Sequence, residues 1–196
     1  MNIEPSAATQ RSLWNHILTP PALPLCFDSS DGVTHPKWSR PGAPNGESTA
    51  LDFVLEVNTL AWGQCGEIYP VPRQEEIAVE WANVEHYVPD VLSKWRNYGL
   101  FGTNIEGWFK LDPRNSDHIL RAIALFGFVL WVELGEVRVL CGFHRNLGLH
   151  VFGSEAGTSF SRFGEPSAIY VVIPTIYVEA DFPGLAYLRY DTLETT

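Results

Sequence analysis

The apolar positions of the chain recur first with a helical period and later with a strand-like one. From Ser48 to Gly63 they fall at intervals of three and four residues, which predicts an amphipathic helix that glycine ends. The same spacing predicts three further helices, at residues 74–84, 89–98 and 116–126. Gly99 and Gly127 follow the last two segments and are expected to stop them.

The second half of the chain consists mainly of β-branched and aromatic runs separated by Gly, Pro and Asp. This pattern is typical of strands. A strand is predicted at residues 105–111, and the others at 128–134, 137–141, 149–152, 168–173, 175–179 and 185–190. Because helices come first and strands last, the sequence predicts an α+β fold rather than an alternating α/β fold.

The segment before the first helix is rich in proline, with the prolines concentrated between residues 19 and 45. Proline fixes φ and has no N–H to donate, so residues 1–45 are predicted to form an extended arm. Leu23, Leu25 and Phe27 would pack this arm against the body. A chain of 196 residues is of single-domain size, so residues 46–196 are predicted to form one domain.

Composition narrows the classes of partner. Hydrophobic residues make up 45% of the chain and charged residues 18%, which indicates a folded protein. The net charge of −10 argues against binding to nucleic acid or to anionic membrane, because both need clustered Lys and Arg. Residues 1–10 lack the features of a signal peptide, and residues 123–134 are too short an apolar run to span a bilayer. We therefore expect cytoplasmic synthesis without export by the usual route.

The sequence shows no spacing typical of a metal or cofactor site. Cys26, Cys65 and Cys141 are scattered, with neither a disulfide framework nor a CxxC pair. The six histidines form neither an HxxxH nor an HxH pair. Phosphate-binding glycine loops and dinucleotide fingerprints are also absent from the sequence. We expect no metal and no cofactor.

The stretch from Asp90 to Leu134 resembles phage and bacterial papain-like cysteine peptidases, of the NlpC/P60-like type. In those proteins a helix with the pattern VLxYWRKTGI precedes a strand, and the pattern LDPxNxDxVKxAIxLFG precedes another. The matching residues, in order, are Val91, Leu92, Trp95, Arg96, Gly99, Leu111, Asp112, Pro113, Asn115, Asp117, Ala122, Ile123, Leu125, Phe126 and Gly127. The resemblance implies a papain-like fold, with N-terminal helices packed on a C-terminal antiparallel sheet or half-barrel.

The resemblance also implies where catalytic residues would lie. The family's NDxxGDC motif, whose Cys is the nucleophile, is similar to Gly42–Ser48, where Ser48 replaces the Cys. The family's GGHAV strand, which carries the general base, is similar to Gly148–Phe152, so His150 occupies that place. Asp181 is the assigned orienting acid, with Glu155 and Glu179 as alternatives. The competing interpretations are that Ser48 only caps a helix and that His150 is a structural relic.

Because Ser48 stands where the family has its nucleophilic Cys, we expect a catalytically inactive papain-like module that acts as a structural or interaction protein. The resemblance to phage proteins suggests that this structural protein is a component of a phage virion, in the tail or the capsid. Its partners would be virion proteins or further copies of the chain. The expected location is the virion or the host cytoplasm. The alternative is an active hydrolase of amide or ester bonds that uses Ser48 and His150. A third hypothesis is an inhibitor that binds what its ancestors cleaved.

Overall fold

A computed structural model of the chain describes residues 23–33, 52–73, 75–77, 87–134, 136–152, 160–161 and 165–183. Helices and strands account for most of these residues. In chain order the elements are β1 (Cys26–Asp28), α1 (Asp52–Gln64), α2 (Val88–Tyr98), β2 (Ile105–Leu111), α3 (Ser116–Phe126), β3 (Val129–Glu133), β4 (Glu136–His144), β5 (Gly148–Val151), β6 (Phe160–Ser161), β7 (Ala168–Pro174) and α4 (Thr175–Glu179).

The described strands form a single sheet, in which every pairing is antiparallel. Six strands follow the order β2-β7-β3-β4-β5-β6, and β1 pairs with β4. Strand β3 covers one edge of β4 from Glu136 to Leu140, and β1 continues along that edge from Gly142 to His144. Strand β5 covers the opposite edge. A piece of the predicted N-terminal arm is thus a strand of the sheet.

Helices cover both faces of this sheet. Alternate residues of each strand point to opposite faces, so each face presents its own set of apolar side chains. Leu130, Val139 and Val172 join the core formed with α1 and α2. Val129, Leu140 and Val171 are among the residues that join the core formed with α3. The α+β class predicted from the sequence, with an antiparallel sheet, is confirmed.

Two of the three helix-ending glycines act as the sequence predicts, whereas Gly63 lies inside α1, which continues to Gln64. Gly99 follows α2 with φ of 80°, and its N–H donates to the carbonyl of Trp95. Gly127 follows α3 in the left-handed conformation, and its N–H donates to the carbonyl of Ile123. At the other end of α3, the Asn115 side chain accepts a hydrogen bond from the His118 N–H.

The strand predicted at residues 175–179 is wrong, because this segment forms the short helix α4. Its β-branched residues favour a strand locally, but tertiary contacts of Tyr177 decide the conformation. The buried Tyr177 ring stacks on Phe182 with centroids 4.0 Å apart. Its hydroxyl lies 2.6 Å from Gln64 Oε1 and 3.1 Å from the carbonyl oxygen of Phe126, so it links the ends of α1 and α3.

Several predicted segments lie wholly or partly outside the described residues. Of the helix predicted at 74–84 only residues 75–77 are described, and they are helical. The start of the first helix near Ser48 and the strand predicted at 185–190 lie outside the description altogether. Among the helices that are described, none combines the length and the apolar character required to span a membrane.

Candidate functional site

The three residues assigned to catalysis from the sequence have different outcomes. Ser48 lies outside the described residues. Asp181 lies in the turn after α4, exposed and with φ of 52°. His150 lies on β5, and only 3% of it is exposed. Its Nδ1 is 3.1 Å from Oδ2 of Asp28, so a carboxylate does accompany His150, but from a residue that the sequence analysis did not name.

Asp28 and His150 meet across a glycine. Gly142 of β4 pairs with Asp28 of β1 on one side and with His150 of β5 on the other. Neighbouring strands are about 4.8 Å apart, so the Cα atoms of Asp28 and His150 are roughly 10 Å apart. Directly paired residues project their side chains from the same face. Because Gly142 has no side chain, the carboxylate and the imidazole come into contact.

Cys141 completes the cluster. The register between β4 and β5 shifts between Leu140 and Gly142, so Cys141 is an extra residue in a β-bulge. Its Sγ lies 3.7 Å from His150 Nδ1. The donor atoms of Asp28, Cys141 and His150 all lie within 4.8 Å of one another. We call these three residues the Asp–Cys–His cluster.

The turn after β1 holds two members of the cluster in position. The Ser30 N–H and hydroxyl donate to Oδ1 of Asp28 at 2.9 and 2.7 Å, which leaves Oδ2 directed towards His150. The Ser29 N–H and hydroxyl donate to the Cys141 carbonyl at 3.0 and 2.7 Å. The Ser29 hydroxyl also contacts the Gly127 carbonyl. Two consecutive serines therefore join β1 to the bulge of β4.

The electrostatics of the cluster do not favour a reactive thiolate. The pKa of the Cys141 thiol is raised to about 12, mainly by burial; the hydrogen bond from Ser30 opposes this rise, and the nearby carboxylates of Asp28 and Glu56 contribute to it. A nucleophilic cysteine needs a pKa lowered towards neutrality. In addition, Asp28 and Cys141 both approach Nδ1 of His150, whereas a base in a triad is oriented through one ring nitrogen and serves the nucleophile through the other.

Two surface grooves lie apart from the cluster. One, of about 600 Å³, lies beside the end of α1 and has Trp62, Tyr69 and Phe101 in its wall. The other, of about 510 Å³, shares Trp62 and extends to Arg96. The described lining of neither groove includes a member of the Asp–Cys–His cluster. In the described part of the chain, these grooves do not give a substrate direct access to His150.

The sequence motifs identify His150 but not the residues that surround it. Asp28 and His150 are separated by most of the chain, and only the antiparallel pairing of β1 and β5 with β4 brings them together. Residues so far apart in the chain form no local sequence motif from which the cluster could be predicted. The sequence held only two weak signals: a polar turn that begins at Asp28, and a cysteine at the end of a predicted strand with a glycine directly after it.

Comparison with known proteins gave no matching family model, no matching curated protein and no matching solved structure. The fold and the cluster define an α+β protein with an Asp–Cys–His arrangement at the junction of three strands, in which Cys141 and His150 are buried and Asp28 is exposed. The papain-like resemblance therefore rests on the sequence motifs.

Proposed function

We propose that the chain is a catalytically inactive papain-like module that acts through contacts with other protein chains. A phage virion, in the tail or the capsid, is the setting that the sequence resemblance suggests. Further copies of the chain or other virion proteins would be its partners. Two observations support the proposal: the papain-like motifs of the sequence, and the state of His150, one of the two predicted catalytic residues that the structure describes.

The state of His150 carries the proposal. A general base must reach the proton that it removes, with heavy atoms about 2.6–3.2 Å apart. His150 is almost fully buried, and its Nδ1 is already close to Asp28 and Cys141. These contacts tie together β1, β4 and β5. Such an arrangement supports a histidine that stabilises the sheet rather than one that serves a substrate.

Exposed apolar side chains support a role in protein contacts. Leu134 is 96% exposed in the turn between β3 and β4, and its φ of 51° is unfavourable for a leucine. Ile68 is 90% exposed next to Tyr69, whose ring lines the apolar groove. Neither exposed side chain contributes burial to the fold. A partner chain that covered them would bury apolar surface that the fold leaves in water.

We expect the purified protein to form no adduct with a broad fluorophosphonate, because an inactive module offers no activated serine. Intact mass spectrometry would measure the adduct in the natural chain and in Ser48→Ala. Ser167→Ala is the matched control, since the Ser167 hydroxyl only donates to the Val132 carbonyl at the surface. A known serine hydrolase would confirm that the reagent is active.

A stoichiometric adduct that disappears in Ser48→Ala but persists in Ser167→Ala would overturn the proposal and establish the hydrolase alternative. An adduct that persists in both variants would locate a different reactive nucleophile, which would overturn the proposal equally. Absence of an adduct on protein that is folded by circular dichroism is the outcome that agrees with an inactive module.

A second prediction tests whether Leu134 serves the fold. Leu134→Asn is expected to leave the free energy of unfolding unchanged or to raise it by up to about 1 kcal/mol, because asparagine tolerates the left-handed conformation better. Urea denaturation would measure the change. Leu147→Asn is the matched control, since Leu147 is exposed in the next turn without a positive φ. A loss of more than about 1 kcal/mol at Leu134 alone would show that folding requires this leucine.

A further inference from the structure

The Asp–Cys–His cluster brings together three side chains of different chemistry. Oδ2 of Asp28 lies 3.1 Å from Nδ1 of His150, and Sγ of Cys141 lies 3.7 Å from the same nitrogen. A carboxylate oxygen, a thiolate sulfur and an imidazole nitrogen are the three donor types that zinc uses in proteins. Three different donor types within 4.8 Å of one another indicate a metal site more specifically than a group of surface carboxylates does.

We propose that Asp28, Cys141 and His150 bind one Zn²⁺ ion through Oδ2, Sγ and Nδ1. Zinc lies about 2.0–2.3 Å from such donors, and tetrahedral geometry then places the donors roughly 3.3–3.7 Å from one another. The distances from Nδ1 to Oδ2 and to Sγ, 3.1 and 3.7 Å, already lie close to that range. The donor atoms of Asp28 and Cys141 lie within 4.8 Å of each other, so binding an ion would bring these two donors together by up to roughly 1 Å. The inference goes beyond the proposed function and does not depend on it.

Charge balance agrees with a divalent ion. The Asp28 carboxylate and the Cys141 thiolate supply two negative charges, and a neutral imidazole supplies none. On binding, the Cys141 thiol passes its proton to the solvent, the Zn–S bond forms, and no oxidation state changes. Magnesium and calcium prefer oxygen donors alone, so the sulfur and nitrogen donors select zinc-like ions over both.

Neighbouring residues fix the orientation of one ligand of the proposed site and leave it accessible to solvent. Ser30 fixes Oδ1 of Asp28 through two hydrogen bonds, and such outer partners orient metal ligands. The Asp28 side chain is 35% exposed, which gives an ion a route from solvent. Three protein ligands leave a fourth coordination position for water or another donor. A bound ion would cross-link β1, β4 and β5 at the point where Gly142 lets them meet.

Titration of tag-free, metal-stripped protein with Co²⁺, a spectroscopic substitute for Zn²⁺, tests the proposal. We expect one equivalent of Co²⁺ to produce a thiolate-to-cobalt charge-transfer band and the intense visible bands of a tetrahedral site, and Zn²⁺ to abolish both. Thermal unfolding gives a second measurement, in which Zn²⁺ raises Tm and Mg²⁺ does not. Natural protein with no charge-transfer band in excess Co²⁺ would overturn the proposal without any variant.

Variants assign the site to its residues. Cys141→Ser is expected to remove the charge-transfer band, while Cys26→Ser, an exposed cysteine two residues before Asp28, is expected to keep it. His144→Gln is the matched control for His150→Gln. Ser30→Ala retains all three ligands and is expected to weaken binding about 10-fold or more. A band that survives Cys141→Ser, or that Cys26→Ser removes, would refute the assignment.

Discussion

Replacing Gly142 with alanine is expected to lower the free energy of unfolding by about 3 kcal/mol, in the upper range for an overpacked interior. A Cβ atom at this position would lie 2.6 Å from the carbonyl oxygen of Phe27 and 3.1 Å from Asp28 Cα. Both are backbone atoms of β1, so relief requires the strand itself to move. It would also lie 3.3 Å from His150 Cβ, and the contact between Asp28 and His150 should be lost.

Gly107→Ala is the matched control for this substitution. Gly107 also lies in a strand, but a Cβ there would meet nothing within 4 Å. We expect its free energy of unfolding to stay unchanged or to rise by up to about 1 kcal/mol, since alanine reduces the entropy of the unfolded chain. Urea denaturation followed by circular dichroism would measure both variants. Equal effects at the two glycines would contradict the close approach of β1 to β4.

Trp95→Ala is expected to lower the free energy of unfolding by about 3–5 kcal/mol, the usual cost of emptying a buried tryptophan site. Trp95 is the largest of the fully buried side chains in the described part of the chain. Its ring lies 6.5 Å from that of Phe53, and so it packs α2 against α1. Its Nε1–H donates to Thr103 Oγ1 at 3.1 Å and fixes the turn after α2.

Two further substitutions test whether the loss at Trp95 comes from its buried packing or would follow the removal of any tryptophan. Trp95→Phe keeps most of the apolar volume, and Thr103 keeps its hydrogen bond to the Leu100 carbonyl, so the loss should be clearly smaller. Trp108→Ala removes a half-buried ring that makes an edge contact with Tyr170, and it should also cost less. The free energy of unfolding of each variant is the measurement. A loss below about 1 kcal/mol for Trp95→Ala would contradict its place in the core.

Local patterns predicted most of the described helices and strands. Segments α2 and α3 have a strong 3.6-residue period, and Gly99 and Gly127 mark their ends, so boundaries were predicted within a residue or two. Strands β3, β4, β5 and β7 follow from β-branched and aromatic runs, whereas β6 was not predicted. The failure at residues 175–179 has a non-local cause, because the burial of Tyr177 among α1, α3 and Phe182 overrides the local strand preference.

The candidate site was predictable only in part. The resemblance to papain-like motifs singled out His150. The structure places this histidine beside Asp28 and Cys141, neither of which was predicted to lie next to it. Asp181 lies in the turn after α4, and Ser48 lies outside the described residues. The proposed zinc site runs against the expectation that the chain binds no metal. That expectation rested on spacing rules, which detect ligands on one helix or loop and not ligands on three strands.

The sequence by itself determined the α+β class and the ends of α2 and α3, because periodicity, capping and turn chemistry act between residues close in the chain. Only the tertiary structure decided that β1 lies beside β4, that Cys141 sits in a bulge and that Gly142 lets Asp28 reach His150. These features depend on the register of antiparallel strands far apart in sequence. Register is selected by burial across the whole sheet, which no local pattern encodes.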